Sequence, residues 1–166
     1  VNPGTLSGGL ALVHALIGVA FMAGLVGRWI VLAAGEQART LPEIRFVLRL
    51  SMPFERLVQV GMLLVFVFGV ATAIVEHQPF LGPIEGAPVD WLFLSLVLYV
   101  SMLPLIPFVF IPRGRVLEQA MRDAELRKEV TPVLRRAFTD PVVRVAQLYE
   151  LGAATMILGL MLAKPI

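Results

Sequence analysis

GGLALVHALIGVAFMAGLVGRWIVLAA, residues 8–34, is an apolar run interrupted only by His14 and, near its end, by Arg28. At a rise of 1.5 Å per residue, a helix of about two dozen such residues crosses the ~30 Å hydrocarbon layer of a bilayer. Three later stretches repeat the pattern, at 53–75, 90–111 and 142–163. The chain therefore reads as all-α, a four-helix bundle of membrane spans forming a single transmembrane domain over residues 1–166.

Composition agrees with that reading. The hydrophobic content is 58% and the mean hydropathy +0.84, above the roughly half-apolar composition of soluble domains. The net charge of +2 does not point to nucleic acid, because the basic residues flank hydrophobic spans and suit lipid headgroups better. The chain has no cysteine, which excludes disulfides, thiolate-held zinc and iron–sulfur clusters. Residues 1–7 carry no lysine or arginine and the run that follows is longer than a signal-peptide core, so the first span is expected to stay in the mature protein.

The arginines predict orientation. Arg28, Arg39, Arg45, Arg49 and Arg56 lie around the first connection, and Arg113, Arg115, Arg122, Arg127, Lys128, Arg135, Arg136 and Arg144 around the third. The middle connection, 77–89, has prolines and Glu85 but no lysine or arginine. By the positive-inside rule both termini and the middle loop face outward, and the two basic connections face the cytoplasm. Trp29 and Trp91 fall at span ends, where an indole prefers the headgroup boundary.

Along span one, His14, Gly18, Phe21, Leu25 and Arg28 share a helical stripe, flanked by the small pairs Ala20/Gly24 and Ala23/Gly27 that let a neighbouring backbone come close. Residues 35–51 predict a short interfacial segment, and Pro53 the first turn of span two. That span carries Glu55, Gln59, Met62, Phe66, Gly69, Ala73 and His77 on one stripe; Arg28 and Glu55, at similar depth, are expected to pair. In span three, Pro104 and Pro107 must distort the helix, leaving carbonyls that need Ser101 or water. Residues 113–130 predict a cytoplasmic amphipathic helix with Val116, Leu117, Ala120, Met121 and Ala124 on one side and the pairs Glu118/Arg122 and Asp123/Arg127 on the other, broken by Pro132. Asp140 before Pro141 is a cap-plus-first-turn signature for span four, which carries Arg144, Gln147 and Glu150 at steps of three.

Glu150 is the costliest side chain, since a carboxylate near mid-span costs at least about 2.5 kcal/mol to insert. It must be paired, hydrated or protonated. The expected role is structural, a bond to Arg28, Gln59 or Arg144 that fixes helix register within a polar network of Arg28, Glu55, Gln59, Arg144, Gln147 and Glu150. The other reading is a titrating carboxyl on a proton or cation path. His14 and His77 are the candidate ligands for a haem, held from both faces as in membrane b-type cytochromes. Helix rise argues against that version, placing them roughly 10 Å and roughly 20 Å from mid-bilayer. The plain reading is a buried, hydrogen-bonded His14 and a solvated His77. No phosphate loop, dinucleotide fingerprint, HExxH or nucleophile elbow is present.

With His14, Phe21, Ala23 and Gly24 on one helix, the chain resembles small bacterial four-span proteins known only as predicted integral membrane proteins. More distantly it is similar to the copper-resistance D-type domain and the HemJ-type protoporphyrinogen oxidase. Ala23 stands where glycine is typical, and Phe21 where tryptophan is frequent. The resemblance implies the four-span layout in a bacterial cytoplasmic membrane, with His14 as a candidate metal or haem ligand. Together these observations predict a non-catalytic accessory or scaffold subunit, in contact with membrane lipids and other membrane protein subunits. A haem- or tetrapyrrole-binding redox protein is the alternative, and a proton-coupled transporter built on Glu150 the third reading.

Overall fold

The computed structural model describes residues 3–164, and every regular element in them is helical. In chain order these are α1 (Pro3–Gly35), α2 (Leu41–Val75), a 3₁₀ turn (Gly82–Glu85), α3 (Trp91–Met102), a π segment (Ile106–Phe110), α4 (Ile111–Arg127), α5 (Pro132–Phe138) and α6 (Pro141–Ala163). Taken as continuous rods, 4 helices are long and apolar enough to span a membrane: Thr5–Gly35, Leu41–Val75, Trp91–Arg127 and Pro132–Ala163.

α1 and α2 form a hairpin, α3 packs on α6, and α1 meets α6. Phe21, Leu25, Val58, Met62, Met102, Ala153 and Ala154 make the core where these rods converge. Around it, large aliphatic side chains such as Leu16, Val19 and Leu63 face outward, the inverse of a soluble bundle and the arrangement hydrocarbon accepts.

The hairpin is a glycine seam. A Cβ on Gly27 would lie 2.3 Å from the Phe54 ring, and one on Gly24 2.9 Å from Leu57 Cβ and 3.1 Å from the Phe54 carbonyl oxygen. From the other side, Gly61 meets Phe21 and Gly69 meets His14. The expected close approach along Ala20/Gly24 and Ala23/Gly27 is thus made with α2.

α2 begins at Leu41, not at Pro53, and residues 41–51 are its first turns. The start is specified by a capping box: the Thr40 hydroxyl accepts from the Glu43 N–H, and the Glu43 carboxylate accepts from the Thr40 N–H at 3.2 Å. Pro53 lies inside the helix, and Ser51 beside it turns its hydroxyl to the Leu48 carbonyl at 2.9 Å.

Pro104 and Pro107 do break the α-helical register, ending α3 and forcing the π segment. The carbonyls they deprive are those of Val100 and Leu103. Each is taken by the N–H one residue earlier than usual, Leu103 to Val100 and Ile106 to Leu103, both at 3.2 Å. Ser101, expected to serve there, instead donates to the Leu98 carbonyl and meets the Tyr149 hydroxyl at 2.6 Å.

α4 continues directly from the π segment, so no unstructured link separates it from the third span. Ala120 and Ala124 are buried with Leu117 and Met121 against them, whereas Val116, expected on that side, is half exposed. Glu118 pairs with Arg122, but Asp123 and Arg127 do not close to ion-pair distance. Lys128 ends the helix in the left-handed conformation, at φ 58°. Pro132 then starts a helix rather than only ending one: Thr131 caps α5 by accepting from the Leu134 N–H at 3.2 Å. Ala38, Ile44, Ala120, Ala124 and Leu134 form a second core joining the start of α2 to α4 and α5. Asp140 caps α6 as expected, accepting from the Val142 N–H at 2.9 Å.

Candidate functional site

Phe21, Leu25 and Arg28 all point inward from α1, as their shared stripe predicts. Opposite them α6 presents Ala146, Ala153 and Ala154, whose small side chains allow close approach and bring Glu150 to Arg28. The two form a buried ion pair, Arg28 at 8% and Glu150 at 3% exposure. Phe110, delivered by the π segment, lies over the guanidinium at 5.3 Å from ring centre to Cζ, a cation–π contact that shields it further. Arg28 Nε is buried without a hydrogen-bond partner among the described residues.

Of the two carboxylates expected for Arg28, the structure gives Glu150 and overturns the pairing with Glu55. Phe54 fills the glycine seam towards α1, so Glu55, about 100° further round α2, is turned off it. Its carboxylate lies 3.3 Å from the Ser51 hydroxyl. The polar residues singled out on the spans do not form one network. Arg144 is exposed and pairs with Glu36 at the end of α1; Gln147 is buried one turn from Glu150; Gln59 is exposed.

No protein family, curated protein or solved structure that was compared matches this chain. What the site can do is therefore read from its own geometry. In a low-dielectric interior an ion pair is strong and each charge alone is costly, so Arg28–Glu150 ties α1 to α6 while Phe110 ties the π segment to both.

His14 faces α2 at Gly69 and the Val65 backbone, with Nδ1 buried and without a hydrogen-bond partner among the described residues. His77 is exposed just beyond the end of α2, in the left-handed conformation at φ 54°. Eight residues of helix rise, about 12 Å, separate His77 from the level of His14. The two histidines do not come together and do not fit a ring held between them. Among the described residues no group of three or more His, Asp or Glu is placed to hold a metal ion.

Several pairings are not foreseen by the sequence. Arg45 pairs with Glu125 and Arg113 with Asp140, so ion pairs join α2 to α4, α4 to the α6 cap, and α6 to the end of α1. Tyr99 stacks on Phe66, with 5.2 Å between ring centres, and donates to the Met62 carbonyl at 2.9 Å. At the opposite end Lys164 lies over Trp91. The available signal for the ion pairs was the acidic residues set among the basic ones, Glu36, Glu125 and Asp140, but their partners are distant in sequence.

Proposed function

We propose that this chain is a non-catalytic accessory or scaffold subunit of a larger membrane protein complex, embedded N-out and C-out in a bacterial cytoplasmic membrane. The observation that carries the reading is the second core. Around Ile44, Ala120, Ala124 and Leu134 the chain builds a packed layer at the same end as its basic connections, where flexible loops would satisfy topology alone. In this reading α4 is the cytoplasmic amphipathic helix, its Leu117, Ala120, Met121 and Ala124 face turned to that core and Glu118 and Arg122 to water. Interhelical ion pairs fix the layer to the spans. The result is a packed basic platform, a surface suited to holding membrane subunits in defined orientation.

Purification in mild detergent at native expression tests the proposal. Other membrane subunits should co-purify in fixed ratio, and substitution of Leu134 by Asp, which opens the platform core, should release them before the spans unfold. A chain that emerges alone would overturn it.

A further inference from the structure

Between the α1–α2 turn and α5 lies an open cleft of about 510 Å³ lined by Glu36, Gln37, Arg39 and Arg135. That is within the size range of small-ligand sites. Glu36 is already neutralised by Arg144. The nearby carboxylate of Glu43 accepts from the backbone N–H groups of Arg39 and Thr40, at 2.7 Å and 3.2 Å. Among the described residues neither Arg39 nor Arg135 forms an ion pair, and although the Glu43 carboxylate lies close enough to feel Arg39, the cleft keeps two guanidinium groups with the Gln37 amide beside them.

The position is as informative as the charge. The cleft opens where α1 ends, seven residues past Trp29, whose indole is 38% exposed. By helix rise that is about 10 Å towards water from the indole, just past a headgroup layer about 5–7.5 Å thick and within the reach of arginine side chains that fold back towards it. Guanidinium groups bind phosphate oxygens through paired N–H donors, and here two of them line one cleft.

We propose that this cleft binds the phosphate of an anionic glycerophospholipid headgroup, bridged by Arg39 and Arg135 with Gln37 as a neutral donor. The assignment rests on the membrane-embedded, arginine-side-inward reading but not on any partner subunit. A bound lipid would clamp the α1–α2 turn to α5, joining the spanning hairpin to the platform.

The test uses the full chain, delipidated in a neutral maltoside detergent at physiological ionic strength. Phosphatidylglycerol, phosphatidylcholine and sodium phosphate are titrated separately, with bound lipid counted by native mass spectrometry and the unfolding midpoint recorded. Phosphatidylglycerol should bind and raise the midpoint, and phosphatidylcholine should not. In R39Q/R135Q the affinity for phosphatidylglycerol should fall about tenfold or more, the loss expected when charge-assisted bonds are removed. The charge-matched R115Q/R127Q should stay within about twofold, because exposed charges outside the cleft are screened. Equal losses in both double variants, or equal binding of the two lipids, would overturn the site. Binding of inorganic phosphate as tight as that of phosphatidylglycerol would overturn the lipid as its occupant. Should R39Q/R135Q fail to fold, R39Q alone, at an exposed position, carries the same comparison against R115Q.

Discussion

Arg28 and Glu150 show how one pair of residues constrains a bundle. Each would be expensive alone in a dry interior, and together they are tolerated because the charges meet. Arg28→Gln and Glu150→Leu should each cost about 3–5 kcal/mol, since either leaves the partner buried and uncompensated. The double variant R28M/E150L should recover much of that loss, because apolar side chains of similar volume avoid the desolvation term. Unfolding of the purified protein in mixed micelles by graded sodium dodecyl sulfate measures both, and single variants as stable as the unmodified chain would mean that water reaches the pair. That Arg28 and Glu150 were costly was legible in the sequence. Which carboxylate satisfied Arg28 was not, because Glu55 and Glu150 lie at comparable depth and only the rotation of α2 about its axis turns Glu55 away.

At the scale of helices, backbone approach along the α1–α2 seam depends on what is missing from Gly24, Gly27, Gly61 and Gly69. Gly27→Leu should destabilise by about 1–3 kcal/mol, the usual cost of forcing extra carbons into a packed contact. Gly18→Leu, on the same helix with nothing within 4 Å of its would-be Cβ, should change stability by less than about 0.5 kcal/mol. The same detergent titration separates the two, and equal effects would mean that helix propensity rather than packing governs both sites. The seam was foreshadowed by the spacing of small residues on α1. The start of α2 is also written in the chain, as Thr40 and Glu43, in competition with the first-turn signal of Pro53. Proline marks a favourable first turn and a tolerated interior position alike, and the capping hydrogen bonds distinguish the two.

For the whole molecule, the grouping of arginines into two connections predicts that residues 79 and 122 lie on opposite sides of the bilayer. A periplasm-active phosphatase fused after Pro79 should be active, and one fused after Arg122 inactive, with a fluorescent reporter giving the reverse. Agreement between the two sites would contradict the four-span arrangement. The sequence by itself determined that the chain is helical, how many long apolar rods it has, and which connections are basic. These are one-dimensional properties, since a bilayer reads length and hydrophobicity segment by segment. Only the tertiary structure decided that Glu150 answers Arg28, that His14 and His77 stay apart, and that α2, α4 and α5 close a second core around Ala124 and Leu134. Those outcomes depend on helix rotation and on contacts between residues far apart in the chain, and neighbouring side chains on a helix point about 100° apart, so hydropathy alone carries no record of them.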